Sequence, residues 1–301
     1  MEALPTLKQL RHLVALADSG HFGNAAKTCF VTQSTLSASL KELETILGAP
    51  LVDRTKRRVA FTPLGEATVE RARRLLRDAE ELTLTARAAR KPLTGTVRLG
   101  VIPTIGPFLL PRILPALREA WPQLKLYLRE EQSDPLLAQL HGGRLDAVLL
   151  ALPYAVGNAE SATLFEDRFS LALRRDHELA RQKQVTPKAI AAETLLLLQD
   201  GHCLRDHALS ACRVGDKPHA DAFEATSLHT LAQMVDNGLG VTLLPQLALD
   251  AGILKGTDLV ARPVAVAAPS RDIALIWRKG TARREEFQLL AGEIRRLAKQ
   301  P

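Results

Sequence analysis

Two cysteines and their neighbours form the stretch of this chain that is best suited to redox chemistry. The stretch runs from Gln199 to Cys212 and contains Cys203 and Cys212, two of only three cysteines in the chain. An apolar run precedes the stretch, Asp200 stands where it could cap a helix, and an apolar helical face follows. We therefore predict that Cys203 lies in the first turn of a helix. Free N–H groups and the helix dipole favour a thiolate there, and a thiolate attacks peroxides far faster than a thiol does.

The pKa of the Cys203 thiol is expected to fall for this reason, helped by a nearby cation such as His202 or Arg205. Cys212 follows nine positions later, which on an intact helix corresponds to about 13–14 Å along the axis. A disulfide needs its two Cα atoms within about 7 Å of each other. A bond between these cysteines therefore requires local unfolding of the helix, which would convert an oxidation into a conformational change.

Two other interpretations of this stretch remain open. Both cysteines can be small buried residues of a core helix, which is the usual fate of cysteine in a cytosolic protein. A zinc site is a weaker alternative, because no closely spaced cysteine pair accompanies the histidines. Its ligands would come from His202, Cys203, His207, Cys212 and His219. We predict neither a metal nor a cofactor.

Length and composition predict two or three domains with real cores, since the chain has 301 residues of which 46% are hydrophobic. Residues 1–20 lack the pattern of a signal peptide, and no apolar run approaches the roughly 18–20 residues that span a bilayer. Three cysteines do not make a secreted disulfide framework. We expect a cytoplasmic protein without a membrane partner. The net charge of +7 permits nucleic acid as a partner but does not establish it.

The first fifty residues predict three helices. Apolar residues recur at helical spacing from Leu7 to Gly20, a second helix follows over 22–29, and Thr32 can cap a third that ends before Gly48. One face of the third helix is apolar. The opposite face carries short polar groups and one cation that can reach base edges and phosphates, as a recognition helix requires. These candidate DNA-binding residues are Thr32, Gln33, Ser34, Thr35, Ser37 and Lys41.

A basic hairpin and a long helix follow. Residues 51–62 alternate as a hairpin would, and a wing of this kind grips phosphates through the cations at its tip. Those cations are Arg54, Lys56, Arg57 and Arg58. Residues 1–62 hold eight Lys or Arg against five Asp or Glu, so positive charge is concentrated here. Pro63 then begins a helix that can run to about Arg90, whose narrow apolar stripe suits pairing with its own copy. We predict a dimer.

The first ninety residues resemble the LysR-type transcriptional regulators through the sequence HFGNAAKTCFVTQSTLSASLKELETILGAPLVDRTKRRVAFTPLGE. The resemblance implies a winged helix-turn-helix over residues 1–62 and a dimerising linker helix over 63–91. It also implies that dimers, or pairs of dimers, bind inverted half-sites in promoter DNA.

Residues 92–301 alternate strands with helices, which predicts an α/β domain. The predicted strands lie at about 96–102, 124–129, 145–150, 164–173, 194–198, 221–225, 241–244 and 272–277. The family resemblance implies a periplasmic-binding-protein-like sensor of two subdomains. The first subdomain would comprise about 92–161 and 270–301, and the second about 162–269.

Polar loops follow several predicted strands, at the edge where open parallel sheets bind ligands. Thr104 follows the first strand and Ser133 the second, while Gly238–Gly240 precedes a later strand. Singly, each of these residues is better explained as part of a turn or a helix cap. Together they could converge on Cys203.

Within the family, the chain is most similar to the peroxide sensors, through VIPTIGPFLLP, LLQDGHCLRDHALSAC, ATSLHTLAQMV and GVTLLP. The resemblance implies that Cys203 is the sensing thiolate and Cys212 the resolving cysteine. It further implies pocket groups at Thr104, His202 and Arg271. Ser133 stands where these sensors usually have threonine, which keeps the hydroxyl but loses a methyl group.

The predicted function is transcriptional regulation of oxidative-stress genes in response to hydrogen peroxide, by a homodimer or homotetramer that binds promoter DNA and contacts RNA polymerase. One alternative is a LysR-type regulator of a small metabolite, in which the cysteines are structural. A thiol peroxidase is disfavoured by the winged domain. A transport protein is disfavoured because such proteins are exported and lack the first ninety residues.

Overall fold

The computed structural model describes residues 3–53, 59–88, 93–212, 224–265 and 270–299. These residues form two compact units. The first is built on four helices and a small hairpin, and the second is an α/β unit. None of the described helices is long and apolar enough to cross a membrane.

The first unit contains the predicted three-helix arrangement followed by the hairpin and the long helix. Its elements are α1 (Leu7–Ser19), α2 (Phe22–Thr28), α3 (Gln33–Leu47), β1 (Val52–Asp53), β2 (Ala60–Phe61) and α4 (Pro63–Ala88). The predicted caps are confirmed: the Thr32 hydroxyl accepts from the Thr35 amide, and Gly20 and Gly48 end their helices in the left-handed conformation. The cations predicted at the wing tip lie outside the described residues.

Contacts between α3, β1 and α4 hold α3 in place. Leu36 and Leu43 on the inner face of α3 are fully buried. The Glu44 carboxylate accepts hydrogen bonds from the amides of Leu51 and Val52 at 2.8 and 3.1 Å, which fastens the hairpin to α3. A Cβ atom on Gly65 would lie 2.0 Å from the Leu51 carbonyl oxygen, so α4 can approach the hairpin only because this residue is glycine.

One side of α4 packs against the first unit and the other does not. Val69 and Ala72 are buried. Leu64, Leu75 and Leu82, which belong to the predicted apolar stripe, are 47%, 53% and 74% exposed. Within the described part of the chain, these leucines therefore form an open apolar face.

The second unit confirms the predicted alternation of strands and helices. Its strands are β3 (Gly95–Val101), β4 (Leu124–Glu130), β5 (Ala147–Leu152), β6 (Ala159–Arg174), β7 (Leu197–Leu198), β8 (Glu224–Ala225), β9 (Thr242–Pro245), β10 (Leu259–Pro263) and β11 (Ser270–Arg278). Its helices are α5 (Gly106–Ala120), α6 (Ser133–His141), α7 (Pro187–Ile190), α8 (Cys203–Cys212), α9 (Leu228–Asp236), α10 (Gln246–Asp250) and α11 (Arg284–Ala298).

The main sheet has seven strands in the order β10-β6-β11-β5-β3-β4, with β9 also paired to β6. β3 runs parallel to β4 and β5, which places the loops after β3 and β4 at the same edge. β6 is 16 residues long and changes partners along its length. It pairs with β11 up to Arg168, and from Phe169 onward it pairs with β9 and β10.

Several strands differ in extent from the prediction, and one was not predicted. β10 was not predicted, because its sequence LVARP contains an arginine and ends in proline. It lies at the end of the strand order, and a strand at the edge of a sheet tolerates proline. The strand predicted over 194–198 is reduced to Leu197–Leu198, with Leu195 in an isolated bridge to Val241. Of the strand predicted over 221–225, only Glu224–Ala225 lies within the described residues, and it forms β8.

Candidate redox site

Cys203 is the first residue of α8, as predicted, and its thiol is free and only 3% exposed. The prediction that Asp200 caps this helix is wrong. The helix begins three residues further on, and the exposed Asp200 carboxylate instead pairs with the Arg205 guanidinium at 3.0 Å. The Gln132 side chain donates to the Asp200 carbonyl at 3.4 Å, which links this loop to the one that follows β4.

Arg271 is the cation of the site, and its side chain is fully buried. Its Nη1 donates to the Thr104 hydroxyl at 2.8 Å, and its Nη2 to the Thr104 carbonyl at 3.0 Å. Its Cζ lies 5.8 Å from the centre of the Phe169 ring. Thr104, in the loop between β3 and α5, is 2% exposed. The structure thus brings together two of the residues predicted for the pocket.

Asp167 completes this group and was missed from the sequence. Its Oδ2 accepts from Arg271 Nε at 3.0 Å, and its Oδ1 accepts from the Leu247 amide at 2.9 Å. Asp167 faces Arg271 across the β6–β11 pairing. A buried guanidinium needs a partner of this kind, because removing an unpaired charge from water is costly. The signal was absent from the sequence, since the two residues are 104 positions apart and their register cannot be read from spacing.

Ser133, at the start of α6, also reaches the site. It is 1% exposed, and its hydroxyl makes no hydrogen bond of ordinary geometry with the described residues. It nevertheless lies close enough to act as a donor toward sulfur, and so lowers the pKa of Cys203. The candidate position after β4 is therefore next to the thiol.

The expected fall in the pKa of Cys203 is wrong in direction. Burial raises the pKa of this thiol, and the nearby Asp206 adds to the rise. The positive charge of Arg271, the Ser133 hydroxyl and a backbone hydrogen bond at Ala151 oppose burial without outweighing it. The thiolate is therefore the minor form at neutral pH.

The cation that acts on Cys203 is not one of the two suggested by the sequence, His202 and Arg205. His202 is 5% exposed, and burial lowers its pKa, so its imidazole is neutral at pH 7. Arg205 binds the Asp200 carboxylate and donates to the Leu198 carbonyl at 3.1 Å. Arg271, which is distant in sequence, is the cation that acts on Cys203.

The rate at which Cys203 reacts with peroxide is expected to rise with pH. Because the raised pKa leaves the thiol mostly protonated at neutrality, the thiolate fraction grows roughly tenfold per pH unit below that pKa. Trapping of the Cys203 sulfenic acid with dimedone, followed by mass spectrometry between pH 6.5 and 8.5, measures this rate. A rate that is flat across the range would mean that the thiol is already ionised at pH 6.5.

Two further side chains near the thiol were not predicted as pocket residues. The Tyr154 hydroxyl donates to the Asp134 carboxylate at 2.5 Å, and burial followed by this bond raises the pKa of Tyr154. The His207 Nε2 lies 3.0 Å from the Pro153 carbonyl oxygen, which ties α8 to the segment after β5. Burial lowers the pKa of His207. His207 could have been found from the sequence, because it lies four residues after Cys203 on one helix face.

The helix α8 is continuous in its main chain from Cys203 to Cys212. The side chain of Cys212 lies outside what the structure describes, so its pairing with Cys203 stays a prediction. Among the described residues, no group of three His, Cys, Asp or Glu side chains is placed to hold a metal ion.

The predicted DNA-reading face of α3 is open to solvent. Thr32, Gln33, Ser34, Thr35 and Lys41 are exposed, and Ser37 is half-buried. This is the arrangement that direct reading of base edges requires.

The fold and the two halves of the sequence define the class of this protein. A model described as "Bacterial regulatory helix-turn-helix protein, lysR family" matches residues 7–66, and one described as "LysR substrate binding domain" matches residues 90–299. The chain therefore belongs to the LysR family of DNA-binding transcription regulators.

Similar proteins within the family fall into two kinds by name. The HTH-type transcriptional regulator EstR of Acinetobacter baylyi is 42% identical over 297 residues, which cover 99% of this chain and 98% of EstR. The hydrogen peroxide-inducible genes activator of Dickeya chrysanthemi is 40% identical over 289 residues, or 96% and 94% of the two chains. A solved variant of full-length OxyR from Pseudomonas aeruginosa has a TM-score of 0.82 at 36% identity, covering 97% of this chain and 98% of that one.

Proposed function

We propose that this regulator senses hydrogen peroxide at Cys203 and controls oxidative-stress genes in response. The observation that carries the proposal is a free, buried thiol at the start of a helix, near a buried arginine that is held by Asp167 and Thr104. Similarity to activators named for hydrogen peroxide supports the choice of oxidant.

The chemistry needs two successive steps. The Cys203 thiolate attacks one peroxide oxygen, the O–O bond breaks, and hydroxide leaves and is protonated to water, so that sulfur becomes a sulfenic acid. The Cys212 thiolate then attacks that sulfur, the S–O bond breaks, and a second water leaves as the disulfide forms. Two thiols and one peroxide thus become one disulfide and two waters.

Each pocket residue has a proposed part in the first step. Arg271 supplies positive charge that stabilises the thiolate, and the Thr104 hydroxyl, held by Arg271, orients the peroxide. Ser133 donates a hydrogen bond toward sulfur, and His202, which is neutral, lines the pocket beside it. The small size of Ser133 leaves more room here than threonine would.

The decisive experiment is intact-protein mass spectrometry after treatment with low peroxide. We expect a mass loss of two hydrogens, and peptide mapping should place the disulfide between Cys203 and Cys212. A Cys212→Ser variant should stop at the Cys203 sulfenic acid. If neither product forms while Cys203 remains a thiol, the peroxide proposal is wrong.

A second candidate function is the sensing of a small metabolite, with both cysteines structural. The similarity to EstR over nearly the full chain favours it, because that relative is not named for peroxide. This candidate predicts that a metabolite raises the melting temperature and that oxidation of the thiols leaves DNA binding unchanged. The two candidates therefore give opposite results in the same binding assay.

The first unit is proposed to bind promoter DNA through the open face of α3 and the wing. The base-reading residues would be Thr32, Gln33, Ser34, Thr35 and Ser37, and the phosphate-binding cations Lys41, Arg54, Lys56, Arg57 and Arg58. Loss of a phosphate-binding cation should weaken binding to all duplexes and reduce its salt dependence by about one unit of slope.

The assembly is proposed to be a homodimer formed through α4, or a homotetramer built from two dimers. The exposed face at Leu64, Leu75 and Leu82 supports a second copy as its occupant, since a long helix with a narrow apolar stripe suits self-pairing. The working partner would be RNA polymerase in the cytoplasm. The protein itself would act as a switch and not as an enzyme.

A further inference from the structure

Phe30 occupies the turn between α2 and α3 and has an unusual conformation. Its φ is +57°, in the left-handed region, and its side chain is 95% exposed. The Phe30 amide donates to the Lys27 carbonyl at 3.1 Å, and the Val31 amide donates to the Ala26 carbonyl at 3.0 Å. These two bonds form a Schellman motif, whose left-handed position is usually glycine.

A phenylalanine at this position is unfavourable for the folded protein. The left-handed conformation brings Cβ too close to the neighbouring carbonyl, which glycine avoids. One other described residue besides glycine has a positive φ, Leu93, and it is fully buried. The packing of Leu93 can offset its strain. The ring of Phe30 is in water, so packing of the side chain does not offset the strain there.

The position of Phe30 points to a role in binding. It is two residues before Thr32, which caps α3, and three before Gln33, the first residue of that helix. Phe30 therefore immediately precedes, along the chain, the exposed polar residues at the start of α3. Lys27, in the last turn of α2, is also exposed. A single aromatic ring beside a cation and a row of small polar groups is better suited to a nucleic acid than to an apolar protein surface.

We propose that Phe30 is a DNA-contacting residue whose ring packs against thymine methyl groups and deoxyribose at the edge of the operator. Apolar contact with a thymine methyl is one of the established ways in which phenylalanine reads the major groove. Because the ring is 95% exposed, a duplex can cover it without displacing any packing contact within the protein. The inference rests on DNA binding by the helix-turn-helix unit and not on the peroxide chemistry, so a negative oxidation result leaves it intact.

The test measures how tightly the full-length reduced wild type and its variants bind one duplex. That duplex is first selected from a random library by the wild type. Phe30→Gly and Phe30→Asn should each bind roughly tenfold more weakly, because the methyl contact is lost. Phe30→Tyr, which keeps the ring, should stay within about threefold of the wild type. The salt dependence should be the same in all four proteins, since no phosphate contact changes. The melting temperature of Phe30→Gly should equal or exceed that of the wild type, because glycine relieves the strain.

A matched control removes another exposed apolar side chain. Leu128→Ala, at a residue 43% exposed in the second unit, should bind the duplex as the wild type does. Wild-type affinity in Phe30→Gly overturns the proposal. Weaker binding accompanied by loss of the wild-type oligomeric state overturns it as well, because the ring would then serve a contact between proteins.

Discussion

Replacing Arg271 by methionine is expected to lower the free energy of unfolding of the second unit by about 3–5 kcal/mol. The Asp167 carboxylate would lose its ion-pair partner while remaining 2% exposed, with only the Leu247 amide as a hydrogen-bond donor. The Thr104 hydroxyl and carbonyl would lose their donor at the same time. Urea denaturation followed by circular dichroism measures the change.

Two variants separate loss of the ion pair from loss of packing. Arg271→Met combined with Asp167→Leu replaces the whole pair with apolar groups and should recover much of the lost stability. Arg168→Met, at the residue that follows Asp167, removes an arginine whose side chain is 67% exposed. This change should lower the free energy of unfolding by less than about 1 kcal/mol. A loss of under about 1 kcal/mol in Arg271→Met would contradict a buried pair that depends on both partners.

Replacing Cys203 by serine is expected to abolish the response of the target promoter to peroxide while leaving DNA binding within about twofold of the wild type. Serine is close to cysteine in size, so the buried site should keep its packing, but a hydroxyl does not react with peroxide. A reporter measured before and after peroxide, together with a binding titration of the reduced protein, gives both quantities.

The other two cysteines provide the controls. Cys29→Ser, at a residue in the first unit, should respond as the wild type does, because its thiol is not part of the switch. Cys212→Ser should form the sulfenic acid but not the disulfide. A full peroxide response in Cys203→Ser would refute Cys203 as the sensor. Loss of DNA binding in that variant would instead show that serine had disturbed the fold.

Local features could be predicted from the sequence and long-range ones could not. The start of α3 was predicted from Thr32, and the ends of α1 and α3 were predicted from Gly20 and Gly48. These predictions succeeded because capping depends on residues within one turn. Cys203 was correctly placed in a first turn from the apolar run before it and the apolar helical face after it, although the cap assigned to Asp200 was wrong. The pKa of its thiol was predicted in the wrong direction, because burial depends on how distant segments pack. Asp167 was missed because strand register is set by the whole sheet.

The Arg271–Asp167 pair lies next to the point where β6 changes its pairing partner. Asp167 lies where β6 is about to exchange β11 for β9, and its other oxygen holds the first turn of α10. Arg271, whose charge lowers the pKa of Cys203, is therefore bonded to the part of the sheet where β6 changes partners. The charge of Arg271 acts on the Cys203 thiol, and Asp167 connects Arg271 to the strand that changes partners. The pair that sets the charge beside Cys203 is therefore also a structural link between the β11 and β9 sides of β6.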